Sequence, residues 1–262
     1  MEVHHPHHIS HKKNIKEYLL EFIMLFFAVS LGFFAENLRE IQIENHRAKE
    51  FLELFKNEVS DNNRMIDSII KEATPLLMSN EKLCYELSSN PSEFSLEKIA
   101  DTLNMWVYRF SNDKRIFDQM KNSGALRYIK DQRLIDLITA YESEADLAEF
   151  RAFDQETSQW KEWWLFINEN MPSSFMMKVI THKRLTSLNN LNPDFNMLYE
   201  NNIDAINKKI KTASIDERTK EKFINFLSHR VSLQKISMAN YIRVKARGKH
   251  LVEELEVYIN NH

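Results

Sequence analysis

Glycine and proline are nearly missing: the 262 residues hold 3 Gly and 5 Pro. Ordinary chains carry about 7% glycine and about 5% proline, so glycine-rich phosphate loops and turn-dense sheet architectures are excluded. The single cysteine, Cys84, cannot make an intrachain disulfide and leaves the redox compartment undecided. Neither sign of charge dominates. A net charge of −3 and a pI near 6.4 argue against a dedicated nucleic-acid binder. Catalytic signatures are missing too. His46, His182, His229 and His250 lie far apart and outside any H-E-x-x-H arrangement, and no serine has a G-x-S-x-G context. Acidic pairs such as Glu142 and Glu144 read as solvated helix faces. Neither an enzyme activity nor a cofactor is expected.

What is present in excess is one apolar run. Phe22 to Ala35 (FIMLFFAVSLGFFA) contains fourteen consecutive uncharged residues behind a basic, histidine-rich tail. Extended to 18–38, it gives 21 residues, about 31 Å of helix at 1.5 Å per residue, which matches the hydrocarbon thickness of a bilayer. No small-residue cleavage pattern follows the apolar core, so the run reads as an uncleaved signal anchor rather than a removable signal peptide or a buried helix. Lys12, Lys13 and Lys16 precede it, while the exit begins Glu36, Arg39, Glu40, Glu44. That lysine bias predicts a cytoplasmic tail (1–17), a transmembrane helix (18–38) and an extracytoplasmic domain (39–262).

Beyond the span, steps of three and four give Leu38, Ile41, Asn45, Ala48, Leu52, Phe55, Val59, Asn62, Ile66, Ile69, Ala73 and Leu76, ten of the twelve apolar. A heptad seam of this length predicts a stalk helix that leaves the membrane and packs with coiled-coil geometry. Pro75 is expected to kink or interrupt it. Ser95 opens a short helix through Trp106, Gly124 caps another, and a second long helix runs from Asp131 to about Asn168 with Leu134, Ile138, Tyr141, Ala145, Ala148 and Ala152 on one stripe. A last helix begins at Asp216-Glu217. Its stripe is Ile224, Leu227, Val231, Met238 and Ile242, shifting near Gly248 to Tyr241, Val244, Leu251, Leu255 and Tyr258. The expected fold is all-α: one transmembrane helix continuing into a stalk, plus an elongated helical bundle.

Two segments carry a resemblance. KEYLLEFIMLFFAVSLGFFAENLRE and FDQMKNSGALRYIKDQRLIDLITAY resemble an uncharacterised family of single-span membrane proteins of Gram-negative bacteria. The matching positions are Glu21 at the span entrance, Asn37 after it, and the run Lys121, Ser123, Gly124, Leu126, Arg127, Ile129, Lys130 and Asp131. A His-Pro-His tail before Lys-Lys marks a subgroup, although Leu20 stands where the common form has glycine. The resemblance implies an inner-membrane anchor with a helical domain and no assigned reaction, and with the lysine bias that domain is expected to be periplasmic.

Four features could carry function. His4, His5, His7, His8 and His11 could bind Zn²⁺, Ni²⁺ or Cu²⁺ in a flexible tail, and otherwise form a solvated tail. Glu21 is an acid at the edge of an apolar span. It faces a partner or water path in a transport or ion-relay protein, or sits at the headgroups. Trp160, Trp163 and Trp164 form an aromatic patch suited to a ligand pocket or docking surface, though the usual fate of large aromatics is core. Asn45 is a polar residue on the seam, where an amide needs a partner that a second copy can supply. The expected partners are the lipid bilayer and a protein, with self-association near the membrane. The role that fits is a scaffold, sensor or accessory subunit.

Overall fold

The computed structural model describes residues 14–103, 108–182 and 202–261, and its regular structure is entirely helical, with no strand among the described residues. The long helices are α1 (Ile15–Ser89), α4 (Gln132–Asn170) and α7 (Glu217–Asn261). Shorter ones are α2 (Leu96–Thr102), α3 (Arg115–Ser123), α5 (Ser173–Met176) and α6 (Ile203–Thr212).

α1 has 75 residues, about 110 Å at 1.5 Å per residue. Its first half is long and apolar enough to cross a membrane, and none of that apolar window is buried within the protein. No interruption occurs at Pro75, and α1 is continuous through it. Proline removes the backbone donor that would otherwise serve the Lys71 carbonyl. Buried Ala73 and Asn80 hold the helix on either side, so packing outweighs one missing backbone bond.

The seam is filled from Ala48 onward. Leu52, Phe55, Val59, Asn62, Ile66, Ile69 and Ala73 are buried, and Asn80, Leu83 and Leu87 continue the line. α7 lies along both α1 and α4. Its ion pairs with α1 run in opposite sequence order (Lys56 with Glu256, Asp67 with Lys245, Glu81 with Lys235), so α7 is antiparallel to α1. Arg133 with Glu254 and Arg243 with Glu144 give the same sense against α4. The α7 stripe corrects the expected one at Ile242, which is 55% exposed. Leu227, Val231, Tyr241, Val244, Leu251 and Leu255 face inward as expected, and Phe223 and Gly248 join them.

Two cores divide the bundle. The nearer one joins Leu52 to Ile69 of α1 with Ile138, Tyr141 and Ala145 of α4 and Val244 to Ile259 of α7. The farther one gathers Leu83 and Leu87, Ile99 and Leu103, Trp163, Phe166 and Ile167, Phe175, and Phe223 and Leu227. α2 is capped at its start by Ser95, whose side chain accepts from the Lys98 N–H at 3.4 Å, and at its end by Leu103. The expected extension to Trp106 lies outside the described residues.

Candidate functional site

The most unusual part of the molecule is a polar junction inside the nearer core, where a strap of residues 108–114 bridges α1 and α4. A bridge without regular structure must find partners for its backbone, and side chains supply them. The Asn62 amide donates to Asn112 Oδ1 at 3.0 Å and to the Asp113 carbonyl at 2.8 Å, while its own oxygen accepts from the Asp113 N–H at 3.1 Å. The Asn112 amide donates at 3.0 Å to Glu142 Oε2 and at 3.0 Å to Asp146 Oδ1. Glu149 accepts from the Asn112 N–H at 3.1 Å and from the Ser111 hydroxyl at 3.0 Å. From α7, the Tyr241 hydroxyl accepts from the Phe110 N–H at 3.3 Å.

Glu58 of α1 completes the junction by capping another helix. Its carboxylate accepts from the N–H groups of Ile116 (2.6 Å) and Phe117 (3.2 Å) in the first turn of α3, where the free amides and the helix dipole favour negative charge. Burial nevertheless raises the Glu58 pKa, and those two bonds offset it only in part. Lys114 meets Asp146 at 2.8 Å and its pKa is raised by that bond. The Arg115 guanidinium bonds Asp113 at 2.6 Å and holds its carboxyl below the usual range.

Glu142 is the exception in this network. It is 3% exposed, has Asn112 on Oε2, and has no partner on Oε1. Burial pushes its pKa up to about 7, and Glu58 and Asp146 add to the rise. Its reading as a solvated residue is therefore overturned. The sequence did hold a signal: Glu142 follows Ile138 by four and precedes Ala145 by three, which places it on the buried stripe. Glu144 is not solvated either, since it pairs with Arg243 and Arg247 of α7. Beside the junction opens a groove of about 520 Å³ lined by Arg109, Phe110, Ser111, Lys114, Asp146, Glu149, Phe150 and Phe153.

The residues singled out from sequence do not converge. Glu21 is exposed on α1, and Asn45 is exposed rather than buried on the seam. Trp163 is buried against Phe166, Phe223 and Phe226, with ring centroids 6.4, 5.4 and 6.1 Å away. Trp160 and Trp164 meet edge to face at 5.5 Å and are half-buried. The space between these tryptophans and Phe175 is about 10 Å³, room for a single water and no more. His4, His5, His7, His8 and His11 lie outside the described residues. Among the described residues no group of His, Cys, Asp and Glu is arranged to hold a metal ion. No protein family, curated protein or solved structure matches the chain.

Proposed function

We propose that the chain is a single-span, membrane-anchored scaffold, sensor or accessory subunit that works through protein association. In this reading 18–38 crosses the inner membrane of a Gram-negative bacterium, 1–17 is cytoplasmic and 39–262 is periplasmic. The lysine bias and the resemblance of the span and of the Lys121–Asp131 run support the placement.

One observation carries the association. Leu38 and Ile41 are 47% and 37% exposed and Asn45 is exposed as well, although all three continue the register that is buried from Ala48 onward. Above Ala48 the chain fills its own seam. Below it, the seam side chains of α1 stay uncovered by the described residues, and a second copy of the same segment is the complementary surface. The test is single cysteines at Leu38, Ile41 and Asn45 in a Cys84→Ser background, oxidised in native membranes. Crosslinked dimers at these positions, with little at Glu40 and Arg47, are expected. Equal crosslinking at all five positions, or none at any, overturns self-association along the seam.

A further inference from the structure

The junction around Asn112 holds more negative charge than its donors can serve. Glu58, Asp113, Glu142, Asp146 and Glu149 all bond within it, against Lys114 and Arg115. Both cations are already engaged, Lys114 on Asp146 and Arg115 on Asp113. The two amide hydrogens of Asn112 are spent as well, one on Glu142 and one on Asp146. One oxygen of Glu142 is thus sealed in the interior with no donor. A buried ionised carboxylate needs several donors or a paired cation, and its neutral form needs far less.

The groups facing Glu142 come from each neighbouring element. α1 presents Glu58, the strap presents Asn112 and Lys114, and α4 itself presents Asp146 and the buried Tyr141 phenol. α7 brings Arg243 and Arg247 to α4, but both are turned to Glu144. Two anions, one committed lysine and a neutral phenol therefore surround the acid.

We propose that Glu142 is a reversible proton-binding site and that its proton sets how tightly the 108–114 strap is held between α1 and α4. With Glu142 neutral, Asn112 clamps α4 without repulsion from Glu58 and Asp146. With Glu142 ionised, one amide serves two anions, one of them sealed in the core, and the strap loosens together with the Glu58 cap on α3. The burial-raised pKa of about 7 puts the change within the neutral range. An anchored bundle so equipped responds to the proton concentration of its compartment, whichever face of the membrane it occupies.

The experiment uses the full chain in lipid nanodiscs. Infrared spectra recorded across neutral pH read the carbonyl band of a protonated buried carboxylic acid. Hydrogen exchange reads the N–H groups of Asn112, Asp113, Ile116 and Phe117, which bond across the junction. The wild type is expected to lose the acid band as pH rises and, after correction for intrinsic exchange, to lose about tenfold or more of its protection, as a shift of about one pK unit or larger requires. Glu142→Gln, which imitates the neutral acid, should lack the titrating band and keep its protection constant. Asp146→Asn should keep the band and move its titration to lower pH, because a repelling neighbour is gone. Wild-type spectra without a titrating acid band overturn the site, whether or not Glu142→Gln folds. Equal loss of protection in wild type and Glu142→Gln overturns its control of the strap.

Discussion

Asn63 on α1 rests directly against Gly248 on α7: a Cβ built on Gly248 would stand 2.5 Å from the Asn63 amide oxygen and 3.0 Å from the Tyr141 ring. Glycine inside a helix costs about 1 kcal/mol relative to alanine, so its place in α7 is explained by the approach of three helices rather than by helix propensity. Gly248→Ala gains that propensity but overpacks the junction, which typically costs about 1–3 kcal/mol. A net loss of up to about 2 kcal/mol in denaturant melts is expected. Adding Asn63→Ala should recover the loss, because it removes the group that the new methyl meets. Strictly additive effects of the two changes would mean that the two positions do not press on each other.

Gly124 ends α3 with φ 72° and ψ 16°, in the left-handed region, and its N–H donates to the Lys121 carbonyl at 3.2 Å. The space around it is open, with only the Arg127 guanidinium at 4.0 Å from a built Cβ. Any cost of substitution there is therefore backbone strain and not crowding. Gly124→Val should destabilise by about 1–2 kcal/mol, and Gly124→Asn by less, since asparagine tolerates this conformation. Equal melting temperatures for the two variants would contradict a strain-only origin.

Stability should peak in mildly acidic solution. Glu142 and Glu58 have folded pKa values raised by burial. The folded state therefore holds more protons than the unfolded chain from the ordinary carboxylate range up to about 7 for Glu142. Stability falls as pH rises through that window and stays low above it. On the acid side, the Arg115 pairing lowers the Asp113 pKa and the bonds from Thr219 lower that of Asp216. Their contribution is complete above the unfolded value and is lost as pH falls through the folded one. Thermal melts of the full chain in micelles from about pH 3 to about pH 9 should trace a dome with its maximum near pH 5. A maximum above neutrality would remove the burial penalty assigned to Glu142.

How legible this was follows from periodicity. The stripes of α1 and α4 from Ala48 and Leu134 onward, the start of α4 at Asp131 and the cap at Gly124 all stand in the sequence, because 3.6-residue spacing and cap chemistry are local. Pro75 misleads because its penalty is local while its compensation is tertiary. The junction was not legible as a site. Asn62 sits on the seam like its apolar neighbours, Glu142 sits one residue past Tyr141, and Tyr-Arg-Phe-Ser-Asn-Asp-Lys at 108–114 reads as an ordinary loop. Only the fold, by laying that loop between two helices, turns three unremarkable polar residues into a buried network.

The placement of the bundle rests on charges that can be moved. Lys12, Lys13 and Lys16 flank one side of the span, and Arg39, Arg47 and Lys49 follow on the other side, interleaved with Glu36, Glu40 and Glu44. Orientation depends mainly on the basic residues close to the span, with acids contributing little. These number three on each side, so the proposed orientation rests on the lysines being clustered closer to the span than Arg47 and Lys49. Protease added to spheroplasts should digest the 39–262 domain while the membrane is intact. Replacing all three lysines with glutamine should yield a mixed population in which part of that domain is protected. Full protection of the wild-type domain would reverse the proposed orientation. An unchanged digestion pattern in the triple variant would show that the lysines do not set it.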